Sequence, residues 1–166
     1  MNLDAQLLAP APDAEAEPLG RNDRLNFGPL ADYIAFHLRL AHDASLRAFA
    51  RKVGQHDLRP GRFAALMLIK LNPGITPMAL SRGSGRDKST ITPLLRDLES
   101  EGLIERRPVR SDRRSHVLAL TPAGDELLDE LSRHAASHDA ELDALIGIEN
   151  KAAFLAHLRA IVDRFG

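Results

Sequence analysis

Gly83 to Thr90 read GSGRDKST. Glycines followed by a lysine and two hydroxyl residues are the ingredients of a phosphate cradle, in which bare backbone N–H groups wrap the anion and the lysine reaches over it. That chemistry needs glycine directly before the lysine, where Asp87 stands, and a buried strand before the loop, where TPMALSR reads as a short helix. The stretch therefore makes no nucleotide loop. Gly83 to Arg86 read instead as a tight turn, and Asp87 as the cap of a helix whose first turn is Lys88-Ser89-Thr90.

Other reactive groupings are equally incomplete. Ser89 neighbours Lys88, but adjacent helical residues point in different directions, and no glycine-flanked serine elbow is present. No enzyme is expected. With no cysteine in the chain, disulfides, thiolate metal sites and thiol redox sensing are excluded. His134 and His138 lie four apart, a spacing that can hold a metal from one helix face, yet no third ligand accompanies them. His138 reads as a hydrogen-bonded residue of a helix seam. His37 and His42 are five apart, which is poor for shared ligation, and one of them is expected to line a pocket. No metal or cofactor is assigned.

The elements around the turn explain its use. Thr76 and Pro77 make a cap-plus-proline helix start. From Asp87 to about Gly102, Ile91, Leu94, Leu95 and Leu98 fall on one face at helical spacing, while Lys88, Ser89, Thr92, Pro93 and Arg96 share another. Two short helices joined by a glycine turn form a helix-turn-helix, whose second helix presents its N-terminal residues to the major groove of DNA. Leu103 to Val109 and Ser115 to Leu120 read as two strands, with Arg110, Ser111, Asp112, Arg113 and Arg114 at their tip. Such a hairpin is a wing whose arginines lie beside the duplex. With Arg86 at the turn, the cations recur where phosphate contacts are needed. The bland reading is a solvated surface with pairs such as Arg106 with Glu105.

Flanking segments complete the expected architecture, mainly α with a small β-hairpin wing. Residues 1–25 are rich in Ala, Pro and acid, and read as a mostly disordered tail that orders near Leu25 on a partner subunit. A helix is expected from Phe27 to Val53, with Pro29 in its first turn and Gly54 ending it. A second runs from Pro60 to Leu71, so apolar all round (FAALMLIKL) that it should be central. Thr121-Pro122 starts a helix in which Gly124, Leu128, Leu131, Ala135, His138, Leu142 and Leu145 form a heptad seam. A last helix, near Glu149 to Phe165, carries Phe154, Leu158, Ile161 and Phe165 at the same steps. The divisions are thus a tail at 1–25, an N-terminal dimerisation helix within 26–57, a winged helix-turn-helix at 58–121 and C-terminal dimerisation helices at 122–166.

Charge follows these divisions. The net of −1 at pH 7 hides −3 over residues 1–26, +4 over 27–80, +3 over 81–116 and −5 over 117–166. Basic charge in the middle and acid at the ends suits a chain of which one part meets a polyanion. The absence of a leader-like N-terminus and of an apolar run near the roughly 18 residues of a membrane span makes a soluble cytoplasmic protein the expectation.

From Leu58 to about Leu128 the sequence resembles the MarR family of winged-helix transcriptional regulators. ITPMALSRGSGRDKSTITPLLRDLESEGLIERRP and SDRRSHVLALTPAGDELL carry the likeness, with the Asp-x-Arg wing pattern at Asp112, Arg113 and Arg114 and the strand exit at Leu120-Thr121. The resemblance implies a homodimer on a pseudo-palindromic operator, with one recognition helix per half-site. Lys88, Ser89, Thr90, Thr92 and Arg96 would face the major groove, unless Thr90 supports the helix from within. Arg114 would enter the minor groove, oriented by Asp112, with Arg86, Arg110 and Arg113 nearby. Pro93 departs from expectation inside a recognition helix. A local kink follows, with the ring on the DNA side where it can meet a thymine methyl.

Regulators of this type release DNA when a small anionic, often phenolic, ligand binds, and repression is the commoner mode. FGPLADYIAFHLRLAHDASLRAFA, with GRDKSTITPLL, is similar to members that control aromatic acid catabolism and respond to hydroxycinnamoyl-CoA thioesters. The pocket candidates are Tyr33, Ile34, His37, Leu38, Phe63 and Met67, with Arg39 or Arg47 as anion partners. The basic excess of 27–80 (Arg39, Arg47, Arg51, Lys52, Arg59, Arg62 and Lys70 against three acids) could hold such a ligand or flanking phosphates. The alternative is a non-sensing winged-helix module for DNA architecture or protein contacts, marked by the absence of a pocket between the first, second and fifth helices.

Overall fold

The computed structural model describes residues 25–53, 61–109 and 112–166, with side chains from 109 to 115 outside that description. The order is a 3-10 turn Gly28–Asp32, then α1 (Ile34–Val53), α2 (Arg62–Leu71), α3 (Pro77–Gly83), α4 (Lys88–Ser100), β1 (Ile104–Val109), β2 (Asp112–Leu120), α5 (Pro122–Ile146) and α6 (Lys151–Phe165). The chain is mainly helical with one antiparallel hairpin. It divides into two units, through Arg39 and from Leu40. The tail before Leu25, the end of the first helix at Gly54 and the start of the second at Pro60 lie outside the described residues.

In the first unit the expected continuous helix from Phe27 is interrupted. Gly28–Asp32 winds as a 3-10 turn, and Tyr33 is extended at φ −87°, ψ 115° before α1 begins. The Asn26 side chain accepts from Gly28 N at 2.9 Å, and Gly28 sits at φ +48°, a left-handed conformation that glycine tolerates. Pro29 occupies the first turn as expected, but the fixed local turn ends before Ile34.

In the second unit three helices begin with a side-chain cap. Thr76 Oγ1 accepts from Ala79 N at 3.2 Å, Asp87 Oδ1 from Thr90 N at 2.8 Å, and Thr121 Oγ1 from Gly124 N at 3.1 Å. Each satisfies one of the orphan N–H groups that open a helix. Gly102, at φ +69°, turns the chain out of α4 and into β1.

The core gathers Leu66, Leu80, Ile91, Leu95, Leu98, Leu118 and Leu131, all fully buried. Each contributes about 1.5–3 kcal/mol by leaving water. The α2 helix packs on α5 and β2, and α3 on α4. Ala65, Leu66 and Ile69 put α2 at the centre, but it is not apolar all round in its surroundings: Leu71 is 68% exposed. At its other end Arg62 is only 4% exposed. Its guanidinium makes a two-pronged ion pair with Glu101, just beyond α4. A buried cation is tolerable only when so paired, and Arg62 is therefore a structural tie rather than a phosphate or ligand contact.

The hairpin pairs Ile104 with Leu120 through Pro108 with His116, then shifts register so that Val109 faces Asp112. The second strand thus starts at Asp112, three residues before the expected Ser115. Leu118 N also donates to Ile75 O at 2.8 Å, tying the wing to the chain entering α3.

The seam on α5 changes character along its length. Gly124, Leu128 and Leu131 are buried in the core of their own unit, whereas Leu145 is 82% exposed. The last helix starts at Lys151 rather than Glu149, and Phe165 at its end is 81% exposed. Lys151 donates to both Asp139 and Asp143 at 2.8 Å, clamping α6 to α5.

Candidate nucleic-acid interface and effector cleft

The turn between α3 and α4 is stapled from within. Ser81 Oγ donates to Arg86 O at 2.5 Å and Ser84 Oγ to Ser81 O at 3.2 Å, while Gly85 takes φ +63°. Arg86, half-buried, lays its guanidinium against Gly61: a Cβ added at Gly61 would lie 2.8 Å from Arg86 Cζ. Its charge is therefore held at the junction of the turn with the start of α2.

From this turn α4 projects with its core face fixed by Ile91, Leu94, Leu95 and Leu98. Lys88, Ser89, Thr90, Pro93 and Arg96 are exposed and Thr92 is half-buried. The helix runs unbroken through Pro93. Asp87 organises the front of this surface. Its carboxylate accepts the Ser89 hydroxyl at 2.6 Å and the Thr90 N–H at 2.8 Å. These bonds, with one from the Thr90 hydroxyl, hold its pKa below the usual carboxylate range. Thr92 Oγ1 donates to Lys88 O at 2.8 Å. Ser89, Thr90 and Thr92 thus spend their hydroxyl hydrogens within the helix and offer oxygen lone pairs outward, which suits them to accept from a base amino group.

The sign of the Asp87 shift gives a testable pH dependence. A carboxyl whose pKa is lowered by folding stabilises the fold above its unfolded pKa, and the contribution is lost as pH falls through the folded value. The Asp87→Asn variant retains a capping oxygen without the charge. Its stability is expected to fall less steeply than wild type on acidification below the ordinary carboxylate range, measured by thermal melts at matched ionic strength. Parallel profiles would remove Asp87 from the acid limb.

Behind the helix, Arg106 Nε reaches Glu99 Oε1 at 2.9 Å and Arg107 reaches Glu105 at 2.6 Å. The pair of Arg106 with Glu105 that a merely solvated surface would have offered is replaced by one that clamps β1 to α4. A cleft of about 400 Å³ opens beside Lys88 and Thr92, with Met78, Arg106 and His116 on its walls. Met78 and His116 were not anticipated; both are exposed, and no local pattern distinguishes them. Arg110 lies outside the described residues, as do the side chains of Asp112, Arg113 and Arg114.

The basic excess of the earlier helices is partly consumed internally. Lys52 donates to Glu141 at 2.6 Å and to Ser137 at 3.1 Å, Lys70 to Asp125 at 2.7 Å, and Arg62 to Glu101. Arg47 and Arg51 are exposed and form no ion pair among the described residues. Arg59 is outside them.

A second cleft, of about 470 Å³, lies between α1, α2 and α5. Phe49 of α1 meets Phe63 of α2 at 6.0 Å between ring centroids and His138 of α5 at 5.9 Å. Of the pocket candidates Phe63 lines this cleft, and Met67 packs against the core. Tyr33, Ile34, His37, Leu38 and Arg39 belong to the first unit. There His37 Nε2 is 2.7 Å from Ala31 O and Arg39 lies over the Phe36 ring at 5.4 Å. His138 was assigned to the seam as a hydrogen-bonded residue. Its Nε2 indeed meets Ser45 Oγ at 2.8 Å, but its Nδ1 is buried without a partner among the described residues.

Comparison with known proteins agrees with this geometry. The MarR family model matches residues 58–116. A regulatory protein assigned to the hcr operon of Thauera aromatica is 30% identical over 135 residues, which cover 81% of each chain. The solved structure of the transcriptional repressor CouR on a 23-mer DNA duplex is 30% identical, with a TM-score of 0.77 over 84% of this chain and 99% of that one. CouR bound to p-coumaroyl-CoA is 27% identical, with a TM-score of 0.77 over 86% of this chain and all of the other.

Proposed function

The chain belongs to the MarR family of transcriptional regulators and is a regulator rather than an enzyme, and from that premise we propose that it is a repressor released from its operator by a hydroxycinnamoyl-CoA thioester. The cleft between α1, α2 and α5 carries this reading. A non-sensing module needs no such space, and about 470 Å³ falls within the roughly 300–1,000 Å³ of small-molecule sites. Leu46, Phe49, Phe63, Ala135 and Ala136 give it an apolar wall, which suits a planar acyl group. Arg47 and Arg51 are open to the phosphates of a CoA moiety. The similarity to a repressor solved both on DNA and on p-coumaroyl-CoA supports the same assignment.

The operator is read by a homodimer in this proposal. Leu145, Ile148, Val162 and Phe165 of α5, α6 and the link between them are exposed, and apolar faces of that extent mark an association surface. One α4 helix enters the major groove of each half-site through Lys88, Ser89, Thr90, Thr92, Pro93 and Arg96. Arg86, Arg110, Asp112, Arg113 and Arg114 serve the backbone and minor groove, with half-sites about one helical turn, roughly 34–36 Å, apart. Among the described residues no helix is long and apolar enough to cross a membrane, and the operator places the protein's work in the cytoplasm.

The test is fluorescence anisotropy of the protein on DNA from upstream of its own gene, at fixed salt, with p-coumaroyl-CoA titrated beside free p-coumarate. Release by the thioester alone is expected. Intact DNA binding with no release by either compound would refute the effector while leaving the regulator.

A further inference from the structure

Of the polar residues that line the cleft, Ser45, His138 and Asp139, His138 has a nitrogen that no neighbour among the described residues satisfies. A neutral imidazole carries one donor nitrogen and one acceptor nitrogen. The Nε2 of His138 is engaged by Ser45 Oγ at 2.8 Å, while Nδ1 is buried with no hydrogen-bond partner among the described residues. A buried polar atom left unpaired is costly, and it is tolerated where a ligand completes the bond. The cleft that His138 lines is also walled by Phe49 and Phe63, whose rings are tilted 50° to each other, and by the small Ala135 and Ala136.

We propose that His138 is the specificity residue of this cleft, reading the hydroxyl of a phenolic ring through Nδ1 while Ser45 holds Nε2. A serine hydroxyl both donates and accepts. Imidazole can therefore give Nε2–H to Ser45 and present a bare Nδ1 to a phenol O–H, or take the serine proton and present Nδ1–H to a phenolate. A flat ring with one hydroxyl matches an aromatic slot with one orphaned nitrogen; an aliphatic or unsubstituted ring would leave that nitrogen unpaired. The inference rests on the effector reading above and narrows it, because it makes the ring hydroxyl, rather than the acyl-CoA in general, the feature that is recognised.

Isothermal titration of the full-length protein with p-coumaroyl-CoA and with cinnamoyl-CoA, which lacks only the hydroxyl, tests it. Wild type is expected to prefer the hydroxylated thioester by about tenfold or more, the worth of one otherwise unsatisfied buried bond. In His138→Leu the preference should shrink to roughly twofold, chiefly by loss of affinity for p-coumaroyl-CoA, while affinity for operator DNA is retained. Equal binding of the two thioesters by wild type would overturn the inference and leave the effector assignment standing, as would a preference that survives in His138→Leu. If neither thioester binds, the effector assignment fails and the inference with it. Should His138→Leu not fold, nitrogen NMR of the histidine-labelled wild type decides. One buried imidazole should shift with p-coumaroyl-CoA and not with cinnamoyl-CoA, and identical spectra would overturn the proposal.

Discussion

Replacing Gly124 with alanine is expected to destabilise the protein by about 1–3 kcal/mol, although alanine is the better helix former. Gly124 lies in the first turn of α5, where the glycine-to-alanine change ordinarily gains up to about 1 kcal/mol. Here the added Cβ would stand 2.0 Å from the backbone oxygen of Leu103. That oxygen has no slack, because it accepts from Thr121 N at 3.1 Å, and Thr121 Oγ1 donates to the adjacent Gly102 O at 2.6 Å. Relief requires α5 to move off the start of the wing, at the expense of the burial of Leu128 and Leu131. The clash with fixed backbone outweighs the gain in propensity. Gly83→Ala is the matched control. It too is helical, but its new Cβ would meet only Leu68 Cδ1 at 3.9 Å, so a neutral or slightly stabilising change is expected. Thermal melts at fixed protein concentration should show a lower Tm for Gly124→Ala and an unchanged or slightly higher one for Gly83→Ala. A rise in Tm for Gly124→Ala would refute the junction as described.

That junction also marks what could and could not be read from the sequence. Thr76-Pro77, Asp87 and Thr121-Pro122 were legible as helix starts because a cap is settled within four residues, and Gly102 ended α4 for the same local reason. The exposure of Lys88, Ser89, Pro93 and Arg96 followed once Ile91, Leu94, Leu95 and Leu98 were placed on the core face. Features that depend on distant partners were not legible. Arg62 belonged to a basic segment until the fold brought Glu101, 39 residues away, against it. The contact of His138 with Ser45 spans 93 residues. The α5 seam repeated evenly in sequence, yet its first half fills the core of its own unit while Leu145 stands exposed, because periodicity gives a face and not the element that covers it. The break at Tyr33 was hidden by a proline equally at home in a helix or a 3-10 turn.

Arg114→Ala is expected to weaken operator binding by about 1–3 kcal/mol, roughly five- to 150-fold, at constant salt. The assignment comes from the wing pattern Asp112-Arg113-Arg114 rather than from a described side chain, so the test has to separate recognition from mere charge. Arginine is favoured in a narrow minor groove because its planar guanidinium sheds water more readily than an ammonium does. Arg114→Lys keeps the charge and loses that advantage. If Arg114 sits in the groove, the lysine variant should recover only part of the lost affinity; recovery to wild type would make it a phosphate contact. The salt dependence gives a second reading, since loss of one phosphate contact lowers the slope of log K against log salt by about one. Arg107→Ala supplies the comparison. Its guanidinium is already committed to Glu105 at 2.6 Å, and its removal should cost less than that of Arg114. Unchanged affinity in Arg114→Ala would sink the wing assignment, and equal losses in the two variants would reduce the wing to a diffuse positive surface, leaving recognition to α4.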